Sequence, residues 1–91
     1  GGGQYSWRDA PAEVYLEVNC PGADDSTVSC TIASDSLKVE QSTGEMLLEG
    51  NLFQSVNAAK SKWEVMDSGS QRKLAITLSK ETPMRWLMVV R

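Results

Sequence analysis

The sequence predicts an all-β fold, an antiparallel β-sandwich of about seven strands, and three observations support it. Apolar and polar residues alternate with a period of two through most of the chain, which places successive side chains on opposite faces of a strand. Turn-forming residues separate the alternating segments roughly every ten residues. A chain of 91 residues with 41% hydrophobic content supports one core and not two.

The first half of the chain supplies the clearest alternation. Residues 14–20 predict a half-buried strand, and the turn-rich segment 21–26 follows it. Residues 27–33 and 37–40 alternate in the same way, joined by a tight connection at 33–36. We therefore expect three short strands in this part, within an alternating pattern that begins at Tyr5.

The second half continues the pattern with one interruption. Residues 46–53 predict a strand in which Gly50 indicates a bulge or a close backbone approach. Residues 55–62 have helical propensity but too little apolar surface for more than one turn or a loop. The strands that follow place four residues in the predicted core: Trp63, Leu74, Ile76 and Leu78.

Residues 1–4 include a glycine triplet that neither packs nor holds a fixed backbone, so we interpret them as a linker or a cloning remnant. The predicted domain spans residues 5–91. Its nine basic and twelve acidic residues give a net charge of −3 and are scattered, which disfavours nucleic-acid binding. The longest apolar run, residues 86–90, is far shorter than the roughly 20 residues that a membrane helix needs.

The two cysteines, Cys20 and Cys30, are too few for a disulfide framework and lack the spacing of a zinc site. If residues 14–20 and 27–33 paired as a hairpin, their offset would strain a bridge between the two thiols. We therefore interpret both as free thiols in a reducing compartment and expect a cytoplasmic protein.

Catalytic chemistry has little support. The chain contains no histidine, the commonest general base and metal ligand at neutral pH. Asp24 and Asp25 are too few for a calcium loop and fit a solvated turn. We predict no enzyme activity, no catalytic residue, no metal and no cofactor.

Two groups of residues are candidates for binding a partner. Trp86, with Arg85 beside it and Lys80 nearby, either anchors a partner protein or closes the end of the sandwich. Tyr15 points away from its apolar neighbours. With Lys38 and Lys62 it either recognises an acidic or amphipathic segment or only stabilises the sheet.

An ordered set of motifs adds a family resemblance. The opening Tyr5-Ser6-Trp7 is followed by Gly50-Asn51-Leu52, then Ser61-Lys62-Trp63, then an alternating run from Leu74 to Lys80. Trp86 closes the set. In this order the motifs resemble a NudC-type CS domain, the branch of the alpha-crystallin-like sandwich fold found in nuclear distribution protein C.

The resemblance implies a function that alternation does not address. Proteins of that family bind heat-shock protein 90 or its clients, among them WD-repeat and kelch β-propellers, and act without ATP. We therefore expect a non-enzymatic co-chaperone or adaptor domain that is a monomer in isolation. The alternative is a structural or assembly subunit that packs against other chains through its sheet edges.

Overall fold

Seven strands form two antiparallel sheets in the computed structural model, which describes residues 5–19, 28–41, 44, 46–68 and 71–91. The all-β sandwich predicted from the sequence is confirmed. In chain order the strands are β1 (Tyr5–Asp9), β2 (Glu13–Asn19), β3 (Val28–Ile32), β4 (Ser36–Gln41), β5 (Met46–Asn51), β6 (Lys62–Ser68) and β7 (Gln71–Ser79).

The two sheets differ in size. One has four strands in the order β1-β2-β7-β6, and the other has three in the order β3-β4-β5. Strands β2 and β3 therefore lie in different sheets and do not pair with each other as the hairpin considered from the sequence. Alternation defines which face of a strand is buried but not which strand lies beside it.

The core lies between the sheets and is built on β2 and β7. Their antiparallel register places Val14 opposite Leu78, Leu16 opposite Ile76 and Val18 opposite Leu74. All six side chains are buried, whereas Cys30 and Ile32 of the three-stranded sheet pack against the core and are only partly buried. The buried core residues outside β2 and β7 are Val28, Leu37, Val39, Leu47, Leu48, Leu52, Val56, Trp86 and Val89.

A β-bulge interrupts the pairing of β4 with β5. Val39 is opposite Leu48, and the next residue of β4, Glu40, is opposite Met46, which leaves Leu47 without a partner on β4. Both leucines are buried as a result. Simple alternation would place Met46 on the core face together with Leu48. The bulge changes this, because Met46 lies opposite the half-buried Glu40 and not on the core face.

One helical turn fills the predicted interruption before β6. The carboxamide Oδ1 of Asn57 accepts hydrogen bonds from the backbone N–H groups of Ala59 and Lys60. The Ser61 hydroxyl donates to the Asn57 carbonyl and accepts from the N–H of Ser79 on β7. These bonds start β6 in register with β7.

The last residues of the chain pack across the end of β5. Leu52 and Val90 form an antiparallel bridge, and the N–H of Arg91 donates to the carbonyl of Asn51 at 2.7 Å. The Val90 side chain occupies the space that a Cβ atom on Gly50 would need. The close approach predicted at Gly50 is therefore confirmed, and its partner is the C-terminal segment.

We expect Gly50→Ala to lower the free energy of unfolding by about 1–3 kcal/mol, because the new methyl group displaces Val90 from the end of β5. Chemical denaturation measures the change. The matched control is the double variant Gly50→Ala with Val90→Ala, which should be more stable than the sum of the two single effects allows. Full stability of Gly50→Ala would contradict the contact.

Candidate functional site

Alternate residues of the four-stranded sheet point away from the core and form an exposed or half-buried surface, here named the outer face. One row of this surface runs across all four strands. It consists of Arg8, Tyr15, Thr77 and Lys62. Tyr15 and Lys62, both predicted to bind a partner, therefore lie on one surface with a single residue between them.

The neighbouring row of the outer face consists of Ser6, Glu17, Ala75 and Glu64. The central strand β7 contributes small side chains to both rows, whereas β2 and β6 contribute long ones. A shallow trough consequently follows β7. On its β6 side, a depression of about 130 Å³ is lined by Lys62, Trp63, Glu64, Ala75 and Thr77.

Tyr15 is held in place on the β2 side of the trough. Its hydroxyl donates a hydrogen bond to the Glu13 carboxylate at 2.6 Å, and the Arg8 guanidinium carbon lies 5.0 Å from the centre of its ring. The hydrogen bond to Glu13 raises the pKa of Tyr15, with a smaller contribution from partial burial. The ring is therefore a neutral, fixed aromatic surface near pH 7.

The charges of the outer face are mixed. Lys73 forms an ion pair with Glu17 at 3.5 Å, and both side chains are partly exposed. Lys62 and Glu64 form no ion pair with the other described residues, although both are exposed. A surface with unpaired charges of both signs suits a protein partner with complementary charges better than a phosphate backbone.

Lys38 does not join this surface. It lies on β4 in the other sheet, where its ammonium group is 3.8 Å from the Glu40 carboxylate. The predicted grouping of Lys38 with Tyr15 and Lys62 is therefore wrong. The strand of Tyr15, β2, and the strand of Lys38, β4, show the same alternation in the sequence. Only the pairing of strands assigns them to different sheets.

Lys80 is buried, which corrects the prediction that it contributes to an exposed cluster. Its side chain is 1% exposed, and its ammonium group donates to the Asp9 carboxylate at 2.7 Å and to the carbonyls of Ala10 and Met84 at 2.6 Å. All three donors of the ammonium group are satisfied. Lys80 thus ties the end of β1 to the C-terminal segment and cannot contact a partner.

Trp86 is also buried, with 2% exposure, so the reading in which it closes the sandwich is the correct one. Its ring lies 5.9 Å from that of Phe53 in a tilted arrangement. The indole Nε1 has no hydrogen-bond partner in the described part of the chain. Arg85 is exposed beside it and is the one member of the predicted cluster that remains available to a partner.

Trp63, predicted to lie in the core, is exposed. It lies opposite Ile76, on the core side of the four-stranded sheet, yet 39% of it is exposed while Ile76 is 1% exposed. The reason is that β6 is an edge strand and the burial of the core face ends at β7. The predicted core position of Trp63 is therefore wrong, whereas Leu74, Ile76 and Leu78 are fully buried.

The described residues contain little that could carry chemistry. Burial raises the pKa of the Cys30 thiol to about 12, which keeps it protonated and unreactive at neutral pH. No group of three or more potential metal ligands, and no helix long and apolar enough to span a bilayer, occurs in the described ranges. Cys20, Asp24 and Asp25 lie outside them.

Two antiparallel sheets packed as a sandwich, with one open, mixed-charge face, define the class of the protein, an all-β sandwich domain. The family follows from the sequence, because the profile of the CS domain matches residues 3–80. The chain belongs to the CS domain family, a non-enzymatic protein-interaction fold. The resemblance noted from the motifs is thereby confirmed.

Two plant proteins from Arabidopsis thaliana are similar in sequence. Protein BOBBER 2 is 29% identical over 84 residues, and Protein BOBBER 1 is 31% identical over 83 residues. The matches cover 91% and 90% of this chain but only 28% and 26% of the relatives. The chain thus spans about a quarter of the length of the curated relatives it matches.

Two solved structures share the fold. The nuclear movement protein from E. cuniculi GB-M1 superposes with a TM-score of 0.76 at 17% identity, over 96% of this chain and 98% of that one. The CS domain of the human KIAA1068 protein gives a TM-score of 0.75 at 23% identity, over 99% of this chain and 77% of that one.

We expect the Asp9–Lys80 pair to make the stability of the fold decrease at acidic pH. The hydrogen bond from Lys80 holds the pKa of Asp9 below its usual range, against the opposing effect of partial burial, and the Trp86 N–H adds to the lowering. A carboxyl whose pKa is lower in the folded state stabilises the fold above its unfolded pKa of about 4, and this contribution is lost as pH falls through the folded value.

Asp9→Asn should therefore lower the melting temperature at pH 6, with a difference from the wild type that shrinks as the pH falls below about 4. Thermal melts from pH 6 down to pH 2.5 measure this. Glu17→Gln, which removes an ion pair between partly exposed side chains, is the control with little effect. A difference for Asp9→Asn that stays constant with pH would contradict the linkage.

The opposite burial of two tryptophans predicts opposite consequences of their removal. Trp86→Ala should lower the free energy of unfolding by about 3–5 kcal/mol, since it empties a buried site against Phe53. Trp63→Ala should lower it by about 1 kcal/mol, because much of that ring already contacts water. Urea denaturation separates the two, and equal losses would contradict the assigned positions.

Proposed function

We propose that this chain is a non-enzymatic co-chaperone or adaptor domain that holds a partner protein on its outer face. The partner is heat-shock protein 90 or a client such as a β-propeller. The observation that carries the proposal is the placement of Tyr15 and Lys62 on either side of Thr77, across a trough open to solvent. Membership of the CS domain family supports the same role.

The chemistry of the outer face suits a folded or extended protein segment. Tyr15 offers a rigid aromatic surface whose hydroxyl is already bonded, so a partner can cover the ring at little cost in conformational entropy. Lys62 and Glu64 offer unpaired charges that set the orientation of the partner. The small side chains of Ala75 and Thr77 let a partner approach the sheet closely.

The cytoplasm is the proposed location. Cys30 is a free thiol, and its burial together with its raised pKa protects it from oxidation and exchange. A free, half-buried thiol is compatible with a reducing compartment, in which heat-shock protein 90 and its clients would also lie.

Blocking the trough should weaken binding without unfolding the domain. We expect Thr77→Arg and Tyr15→Ala each to weaken binding of heat-shock protein 90, or of a WD-repeat or kelch propeller, by about tenfold or more. Both residues lie on the outer face, so circular dichroism should show an unchanged fold. Titration calorimetry with each purified partner measures the effect.

The matched control is Thr31→Arg, which places the same side chain on an exposed position of β3 in the other sheet. It should bind like the wild type. Failure of the wild-type domain to bind any of these partners at high micromolar concentration would refute the proposed partners. Equal weakening by Thr31→Arg would refute the proposed face.

A further inference from the structure

The free edge of β6 is the most exposed strand surface in the described chain. Every residue from Lys62 to Met66 is exposed. The backbone of β6 pairs with β7 on one side, and no backbone hydrogen bond joins its other side to a described residue. Alternate N–H and C=O groups therefore point outward without a partner among the described residues and form a template for another strand.

Apolar side chains accompany this edge on the core side of the sheet. Trp63 and Val65 are 39% and 44% exposed, whereas their neighbours Ile76 and Leu74 are 1% and 0% exposed. On the core side of the sheet, the side chains are therefore buried on β7 and exposed on the neighbouring strand β6. A further strand beside β6 would extend both rows and cover Trp63 and Val65 with its own side chains.

Charged side chains accompany the same edge on the outer face. Lys62 and Glu64 lie two positions apart on β6 and form no ion pair with the described residues. An added strand would place one of its side chains directly opposite each of them. Opposite charges at those positions stabilise the pairing, and like charges destabilise it.

Within the described ranges, no segment covers the free side of β6. The edge of β5 is covered where Val90 and Arg91 pack against its end. Proteins blunt free edges with proline, a bulge or a covering segment, and β6 has a regular seven-residue register with β7 and no proline. An edge of this kind indicates a strand acceptor.

We propose that β6 receives an extended segment of a partner protein as an added antiparallel strand. The segment carries apolar residues opposite Val65 and Trp63, a basic residue opposite Glu64 and an acidic residue opposite Lys62. Read from its N-terminus, it has the pattern apolar, basic, apolar, acidic. This edge shares Lys62 and Glu64 with the trough along β7 but binds its occupant through backbone groups, and that occupant need not be the protein bound in the trough.

A second copy of this chain fits the edge poorly. Antiparallel self-pairing centred on Glu64 opposes two carboxylates, which repel each other. Centring on Trp63 does pair Lys62 with Glu64, but β6 begins at Lys62, so only three residues of each strand overlap. Centring on Val65 overlaps the whole strand and leaves Lys62 and Glu64 without counter-charges. A separate segment satisfies all four side chains together.

Two capped peptides test the proposal. The first, Thr-Val-Lys-Val-Glu-Thr, has the proposed pattern, and the second, Thr-Val-Glu-Val-Lys-Thr, has the two charges exchanged. Titration into the isotope-labelled 91-residue chain, followed by NMR, should move the β6 amide signals with the first peptide. The first peptide should bind about tenfold more tightly than the second, as expected for two reversed cross-strand charge pairs.

The decisive variant exchanges the charges of the domain, Lys62→Glu together with Glu64→Lys. Both side chains are exposed, so the fold should be retained, and the preference between the two peptides should invert. Tyr15→Ala, which should weaken binding at the outer face, lies on β2 with β7 between it and β6, so it should leave peptide binding unchanged and distinguishes the two sites. Sedimentation of the chain alone should show a monomer.

Three results would overturn the proposal. One is the absence of any β6 shift with either peptide up to millimolar concentration. The second is a peptide preference that the charge-exchanged variant keeps. The third is a dimer of the chain alone that pairs through β6, since a second copy would then occupy the edge.

Discussion

The antiparallel pairing of β2 with β7 is the contact on which the rest of the molecule depends. Its register places three apolar pairs, from Val14–Leu78 to Val18–Leu74, at the centre of the core. The same register sets Tyr15 beside Thr77 on the opposite side of the sheet. Because side chains alternate between faces, a shift by one residue would place the polar set in the core and remove the outer face. Stability and the proposed binding surface therefore share one structural cause.

The C-terminal segment closes one end of the sandwich, and some of its side chains are buried there. Trp86 and Val89 fill the end of the core, and Lys80 holds the start of the segment against Asp9. A buried ammonium group is tolerable only because its three donors are satisfied and a carboxylate lies next to it. The aromatic and basic residues that resembled an interaction anchor are thus the closure of the sandwich, with Arg85 left outside.

The unequal size of the two sheets explains the exposed apolar surface on β6. The four-stranded sheet exposes the core side of its edge strand β6, so Trp63 and Val65 remain open next to a fully buried row. The outer-face trough and the β6 edge share Lys62 and Glu64 but present different chemistry. The trough offers side chains to a folded surface, whereas the edge offers backbone groups to an extended segment.

The sequence by itself determined the alternating segments that form β2 to β7, the core residues Leu74, Ile76 and Leu78 and the scarcity of catalytic groups, because alternation and composition are local properties. It also predicted the close approach at Gly50 but not that Val90 would make it. Only the tertiary structure decided the burial of Trp86, the exposure of Trp63 and the separation of Lys38 from Tyr15. Each of these depends on which strand or segment lies alongside. The partner of Lys80 lies 71 residues away in the chain, a distance that no local pattern encodes.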